Sequence, residues 1–221
     1  MSDAQGSLAG WCAHEIEAEL PGLRLLVADA LHTRARRLGG PSPPELTARL
    51  RELSDRFRGA RAVGVRRESV PGAYRVFFRQ IGLDPDVART PIEAALMERM
   101  LRGGFPSDGL LADALMVALL DTGVPVWALD AESVDGRLGI RASREGEPLG
   151  RSPDAPALPG ARLVVADGSA ALAVLFGETA PGHAPGASTR ALTLFAVQVA
   201  GVPTLYAEES LHMCRAALEQ S

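Results

Sequence analysis

The sequence has no lysine, so arginine supplies all 23 of its basic side chains. Against them stand 27 acidic residues, which gives a formal net charge of -4 at pH 7. Proteins that bind nucleic-acid backbones non-specifically usually present a basic surface, because contacts to phosphates supply most of the affinity. The acidic balance therefore disfavours tight, non-specific RNA binding, although it leaves room for a local basic patch.

Cysteine is scarce as well, with Cys12 and Cys214 near opposite ends of the chain. They have no metal-ligand spacing, and we expect both to be reduced and structural. No apolar run is long enough to span a bilayer, and the N-terminus lacks the basic and apolar segments of a secretory signal. These absences predict a soluble, cytoplasmic protein with no membrane partner.

Several functional motifs are also missing. We find no Gly-rich phosphate loop, no paired Cys or His cluster and no Gly-x-Ser-x-Gly elbow, so we predict no nucleotide cofactor, no metal and no serine hydrolase triad. What remains is an ordinary globular composition, with 47% hydrophobic and 23% charged residues over 221 positions. That length is sufficient for one domain with a sizeable core.

The first half of the chain is predominantly helical. A strand at 23–30 and a loop at 32–44 precede a helix that starts at the Pro43–Pro44 pair. A second helix contains residues 74–81. A third opens with a capping box of Thr90 and Glu93, and a fourth spans about 108–121. The predicted apolar faces are Leu46, Leu50, Leu53 and Phe57 in the first helix, Tyr74, Phe77, Phe78 and Ile81 in the second, and Leu96, Met97, Met100 and Leu101 in the third.

The second half is strand-like, with short apolar runs separated by turn residues. Long Gly- and Pro-containing loops at 143–160 and 177–188 are typical of binding loops or lids. The predicted strands are 124–129, 137–142, 162–166 and 171–176, and the predicted C-terminal helices are 188–200 and 206–219. This order favours an α+β fold with antiparallel or mixed sheets flanked by helices. We predict an N-terminal extension at 1–19, which includes a short helix from about residue 11 to 20, and a single domain at 20–221.

Two stretches carry a family resemblance. ADALMVALLDTGVPVWALDAESVDG (112–136) resembles the core motif of the editing and tRNA-binding domain of the phenylalanyl-tRNA synthetase beta subunit. YRVFFRQIGLDPDVARTPIEAALMERML (74–101) is similar to the matching part of free-standing members of that family. The retained framework positions are Asp113, Gly123, Pro125, Ala128, Asp130 and Gly136. The resemblance covers about residues 20–200 and implies the fold of that domain.

The family's polar pocket is not retained. In the synthetase domain a Thr-Asn pair, a His and a Glu hydrolyse mischarged tyrosyl-tRNA, and the matching positions here are Leu115, Met116, Trp127 and Phe195. Apolar side chains cannot hold a tyrosyl hydroxyl or orient a water, and an unpaired polar group there costs about 1–3 kcal/mol. The same pocket is suited to an aromatic ring.

Glu93 is the first candidate for acid–base chemistry, because an apolar pocket raises the pKa of a carboxyl group towards neutrality. The alternative is that Glu93 only completes the capping box. Glu178 and His183 share the second long loop and form an acid–base pair if that loop folds over a pocket; the alternative for His183 is a solvated side chain.

Framework and cationic positions complete the set of candidates. Asp113 and Asp130 match framework positions of the resembled family, so they are expected to be structural; Asp113 also falls in an apolar helix, where a charge needs a partner. Arginine binds carboxylates and phosphates through its planar fork. Candidates for that role are Arg66, Arg67, Arg75 and Arg89, and the alternative for at least two of them is a solvated surface position.

Three functions follow from these residues. The first is an enzyme acting by acid–base chemistry on a small, aromatic, amino-acid-derived substrate, most specifically a Pictet–Spengler-type condensation of an aryl-ethylamine with an aldehyde. The second is a free-standing aminoacyl-tRNA editing hydrolase, and the third is a non-catalytic tRNA- or amino-acid-binding module. The fold alone does not choose among them.

Overall fold

The computed structural model describes residues 7–32, 38–152 and 154–219. Residues 1–6 of the predicted N-terminal extension, residues 33–37 of the predicted loop at 32–44, and residue 153 in the loop at 143–160 lie outside this part of the chain. Within it, no helix combines the length and apolar character needed to cross a membrane.

Seven α-helices lie in the described ranges, and local signals mark several of their ends. Pro44 and Pro91 occupy first positions, where a missing N–H costs nothing. Gly123 ends a helix in the left-handed conformation, with φ 78°. The helices are α1 His14–Glu19, α2 Pro44–Arg56, α3 Ala60–Gly64, α4 Ser69–Gln80, α5 Pro91–Arg102, α6 Leu110–Thr122 and α7 Thr204–Glu219.

Within the same ranges, eight strands form two four-stranded sheets. The strands are β1 Leu8–Ala9, β2 Trp11–Cys12, β3 Arg24–His32, β4 Val126–Asp130, β5 Gly139–Ala142, β6 Leu163–Ala166, β7 Ala171–Val174 and β8 Ala191–Gln198. The first sheet, in the order β1-β3-β8-β4, is antiparallel throughout. The second, in the order β2-β5-β6-β7, is mixed, because β2 pairs with β5 in parallel. The predicted α+β fold with antiparallel and mixed sheets flanked by helices is confirmed.

The predicted helix at 188–200 is wrong, because this segment forms β8. Strand β8 lies between β3 and β4, and seven of its eight residues are buried. A short apolar run buried on both faces has no clear alternation, so periodicity does not distinguish a central strand from a buried helix. The predicted helix at 206–219 is confirmed as α7, which packs across β3 and β8.

The N-terminal segment pairs with both sheets. Leu8 and Ala9 pair with β3, and Trp11 and Cys12 pair with β5. Only glycine fits at position 10, since an added Cβ would lie 2.8 Å from the Leu138 carbonyl oxygen. A strand thus occupies residues 11–12, where the predicted short helix was placed, and α1 follows it. The boundary between an extension at 1–19 and a domain at 20–221 stays a prediction.

Two of the three apolar clusters among the described residues determine where the site lies. The larger fills the space between the sheets, α4 and α7, and the smaller joins α2, α5 and α6. Tyr74 on α4 is buried and donates a hydrogen bond of 2.7 Å to the Val197 carbonyl oxygen on β8, which fixes α4 against the first sheet. Residues from the N-terminal part of α5, from α6 and from the start of β4 line one cavity, which is described below.

Candidate functional site

Aromatic side chains are few, yet most of them gather in one cluster. Of six phenylalanines, two tryptophans and two tyrosines, six rings are in contact: Tyr74, Phe77, Phe78, Trp127, Phe176 and Phe195. Phe176 is central, with its ring centroid 5.3–5.7 Å from those of four neighbours. Trp127 stacks on Phe195 at 5.5 Å with an interplanar angle of 12°. Trp127 and Phe195 are cross-strand partners on β4 and β8, so the sheet register imposes this stack.

The backbone of Phe176 is strained. A β-turn from Val174 to Gly177 is closed by a hydrogen bond of 2.9 Å from the Gly177 N–H to the Val174 carbonyl oxygen. Phe176 occupies the third position of this turn with φ 59°, a conformation that glycine or asparagine usually supplies. A bulky side chain in the left-handed region costs about 1–2 kcal/mol. Packing of its ring against four aromatic neighbours offsets this cost and holds the ring in place.

An apolar cavity of about 340 Å³ opens beside this cluster, and we call it the aromatic cavity. Its lining residues are Arg89, Pro91, Ala94, Ala112, Leu115, Met116, Leu119, Pro125, Val126, Trp127 and Phe176. Three of the four positions predicted to form an apolar pocket, Leu115, Met116 and Trp127, therefore line one cavity. The fourth, Phe195, is 2% exposed and lies behind Trp127 rather than at the cavity surface.

Arg89 carries the single charge among the residues that line the aromatic cavity. It is exposed at the rim, and none of the described side chains accepts a hydrogen bond from it or forms an ion pair with it. A free guanidinium group at the edge of an apolar cavity is suited to a carboxylate or phosphate on a ligand.

A cleft of about 260 Å³ adjoins the aromatic cavity and shares Arg89 with it. We call it the arginine cleft; its charged lining residues are Arg66, Arg75, Asp86, Arg89 and Glu93. Arg75 donates to Glu93 Oε1 at 2.5 Å and to Asp86 Oδ1 at 2.7 Å. The hydrogen bond from Arg75 lowers the pKa of the exposed Asp86 carboxyl, and the same hydrogen bond raises the pKa of Arg75.

Glu93 completes the predicted capping box, which is confirmed. Its Oε2 accepts hydrogen bonds from Thr90 Oγ1 at 2.7 Å and from the Thr90 N–H at 3.3 Å. With Arg75 on the other oxygen, Glu93 lies among hydrogen-bond donors rather than in the apolar surroundings expected for a proton shuttle. Its catalytic role stays a prediction.

Glu178 and His183 lie apart from the aromatic cavity and from the arginine cleft. Glu178 is exposed, and its carbonyl accepts from the Val174 N–H. His183 is 4% exposed, and its Nδ1 lies 3.0 Å from Ser133 Oγ. The Ser133 hydroxyl donates to the Asp130 carbonyl, so His183 Nδ1 is the donor in the Ser133 contact. Burial lowers the pKa of His183, and the nearby Arg151 lowers it further.

The two framework aspartates are held by several hydrogen bonds each. Asp113 is buried and accepts from Ser42 Oγ, Ser107 Oγ and the Asp108 N–H, which ties the loops before α2 and α6 together. Asp130 accepts from Thr189 Oγ1 at 2.6 Å, which ties the end of β4 to the loop that precedes β8. Within the described ranges, no group of three or more His, Cys, Asp or Glu residues is arranged to hold a metal ion.

Phe176 was missed by the sequence reasoning, which placed it inside a strand at 171–176. Strand β7 ends at Val174 because the chain turns there. The available signal was a Phe-Gly pair at the end of an apolar run, which is compatible with many turns. Nothing in the sequence indicates that this ring reaches α4 and β4.

No family model matches this chain. Part of it is similar to the phenylalanine–tRNA ligase beta subunit: 41% identical over 68 residues in Xanthomonas axonopodis pv. citri (strain 306), and 38% identical over 68 residues in Xylella fastidiosa (strain Temecula1 / ATCC 700964). Each match covers 31% of this chain and 8% of the relative. The chain therefore spans about 8% of the length of these curated relatives, and the predicted resemblance is confirmed for a segment only.

Proposed function

We propose that this chain binds a small aromatic group derived from an amino acid in the aromatic cavity, with Arg89 holding an anionic group of the ligand at the rim. The observation that carries the proposal is a cavity of about 340 Å³ with Trp127 and Phe176 in its wall and one free cation at its edge. Small-molecule sites commonly enclose about 300–1,000 Å³ and combine an apolar wall with few polar groups.

Preorganisation supports an aromatic ligand. Trp127 is held by a stacked ring on one side and by the edge-to-face contact with Phe176 at 5.5 Å on another. Aromatic pairs gain about 0.5–1.5 kcal/mol beyond the area that they bury. Because the ring positions are set before a ligand enters, little conformational freedom is lost on binding.

An acid–base enzyme on the same cavity is a second candidate, and its most specific form is the Pictet–Spengler-type condensation. Arg89 favours it, because this residue joins the cavity to the cleft that contains Glu93. Against it stand the contacts of Glu93 with Arg75 and Thr90, which occupy both carboxylate oxygens. Turnover would require Glu93 to release Arg75 before it moves a proton.

A tRNA-dependent role is the third candidate, either as a free-standing aminoacyl-tRNA editing hydrolase or as a binding module. The segment similar to phenylalanine–tRNA ligase beta subunits favours it, and so do Arg66 and Arg89 as exposed contacts for phosphates. The net charge of -4 and the apolar side chains at Leu115, Met116 and Trp127 oppose it.

Calorimetry with L-tryptophan, tryptamine and bulk tRNA at physiological salt tests these candidates. We expect L-tryptophan to bind wild-type protein, and Trp127→Ala to abolish that binding. Arg89→Ala should weaken L-tryptophan about tenfold and leave tryptamine, which has no carboxylate, unchanged. Arg67→Ala is the matched control, because Arg67 is exposed and lies outside both lining sets.

A fluorescence titration gives an independent readout. The Trp11→Phe variant leaves Trp127 as the single tryptophan, so any change in emission reports on the aromatic cavity. Salt-sensitive tRNA binding with no response to L-tryptophan or tryptamine would overturn the small-molecule proposal in favour of the tRNA-dependent one. Turnover of tryptamine with an aldehyde that is lost in Glu93→Gln would support the enzyme.

A further inference from the structure

A third cavity, of about 370 Å³, lies where α1, the C-terminal end of α4 and the start of β6 meet. We call it the α1 cavity. Its inner wall is apolar and includes Ile16, Ile81, Leu163 and Leu175. Ile16 and Leu175 are buried, whereas Ile81 and Leu163 are half-buried and expose hydrocarbon to the cavity. Such a wall favours an aliphatic ligand, because contact removes apolar surface from water on both sides.

The rim of the α1 cavity carries charges of both signs. Glu15 and Glu19 lie one turn apart on the same face of α1, and Arg162, which also lines the cavity, lies just before β6. All three side chains are exposed. Within the part of the chain that the structure describes, none of the three forms an ion pair or a side-chain hydrogen bond, so Arg162 does not neutralise either glutamate.

We propose that the α1 cavity binds a small aliphatic zwitterion of the leucine or leucyl-dipeptide class. The ammonium group of the ligand lies at Glu15 and Glu19, its carboxylate lies at Arg162, and its side chain packs against Ile81 and Leu163. Separated, unpaired charges of opposite sign around an apolar wall match a zwitterion better than a singly charged ligand, since each charge then meets a partner.

This site differs in chemistry from the aromatic cavity and does not rest on the function proposed for it. The aromatic cavity presents two rings and one cation, whereas the residues that line the α1 cavity include no aromatic side chain and carry charges of both signs. The two are neighbours in the chain, because Leu175 lines one and Phe176 lines the other.

Calorimetry on the full chain with four probes tests the inference. L-leucine and L-leucyl-L-leucine should bind; L-leucinamide lacks the carboxylate and N-acetyl-L-leucine lacks the ammonium group. Arg162→Ala should weaken L-leucine about tenfold and leave L-leucinamide unchanged. The double variant Glu15→Gln, Glu19→Gln should weaken L-leucine to a similar extent and leave N-acetyl-L-leucine unchanged. These exposed side chains have no described partner to lose, so the variants should retain wild-type far-ultraviolet circular dichroism.

Two control variants make the result specific. Arg190→Ala removes the same charge from an exposed position outside the α1 cavity, and Trp127→Ala changes a residue that lines the aromatic cavity but not the α1 cavity. Both should bind L-leucine as wild type does. The inference is overturned if L-leucine and the dipeptide do not bind, or if Arg162→Ala and Arg190→Ala behave alike. Leucine binding that is lost in Trp127→Ala but kept in Arg162→Ala would also overturn it, while leaving the proposed function intact.

Discussion

Replacing Phe176 by glycine should harm the protein less than replacing it by alanine. Both variants lose the ring and its contacts with Tyr74, Phe77, Phe78 and Trp127. Removing a core phenylalanine side chain typically costs about 3–5 kcal/mol. Because Phe176 is half-buried, we expect Phe176→Ala to lose unfolding free energy at the lower end of this range, about 3 kcal/mol.

The backbone separates the two variants. Alanine keeps a β-carbon at φ 59°, whereas glycine adopts this conformation freely. The left-handed conformation costs a non-glycine residue about 1–2 kcal/mol, so Phe176→Gly should lose only about 2 kcal/mol. Elsewhere glycine is usually the less stable of the two residues, by about 0.5–1 kcal/mol. Urea unfolding followed by circular dichroism measures the difference in unfolding free energy between the two variants, provided that this free energy falls with urea concentration at the same rate in both.

Leu175 provides the control, because it precedes Phe176 in the same turn and does not have a positive φ. There the order should reverse, with Leu175→Ala more stable than Leu175→Gly. If Phe176→Ala proves as stable as Phe176→Gly, the turn is not strained at this residue. Both Phe176 variants should also weaken aromatic ligands equally, since neither retains the ring.

Ala161, Gly139 and His183 are three further residues whose substitution should change the stability of the protein. Ala161 also has a positive φ, 61°, so Ala161→Gly should stabilise the protein by about 1 kcal/mol in urea unfolding. Gly139→Ala should destabilise it by about 1–3 kcal/mol or more, because the new Cβ would lie 2.0 Å from Trp11 Cδ2. His183 has a lowered pKa when folded, so its contribution to stability is complete above the unfolded value of about 6.5 and is lost as the pH falls below it. Unfolding free energies measured from pH 7 to pH 5 should show this loss, which His183→Asn should abolish.

Each of these predictions has a control or a contradicting result. A loss of stability in Ala161→Gly would show that the positive φ carries no cost. Gly186 has open space around it, so Gly186→Ala should change stability far less than Gly139→Ala does. Protonation of carboxylates such as Asp167 becomes important only at lower pH: burial alone would raise the pKa of Asp167, but its backbone and Arg151 hydrogen bonds hold it below its usual range. If the unfolding free energy of His183→Asn depends on pH as that of the wild type does, groups other than His183 cause the pH dependence.

Features determined by neighbouring residues were predictable from the sequence. The Thr90–Glu93 capping box, Pro91 at its first helical position and the buried Leu50 and Leu53 follow from contacts within a few residues or from one helical period. The α+β class and the meeting of Leu115, Met116 and Trp127 at one cavity were also expected. The roles assigned to the site residues stay predictions.

Tertiary structure decided what depends on distant partners. Met100 and Leu101, predicted to be buried, are exposed at 51% and 76%, because α5 instead buries Arg99 against the Ser54 carbonyl oxygen. The segment 188–200, predicted to be a helix, forms the central strand β8, because two neighbouring strands pair with it. By itself the sequence determined where most helices begin and which apolar stripes they carry, because those signals act over one or two turns. Contacts between residues far apart in the chain, which no local pattern encodes, produced the remaining features. These are the strained turn at Phe176, the pairing of Glu93 with Arg75 and the separation of His183 from the aromatic cavity.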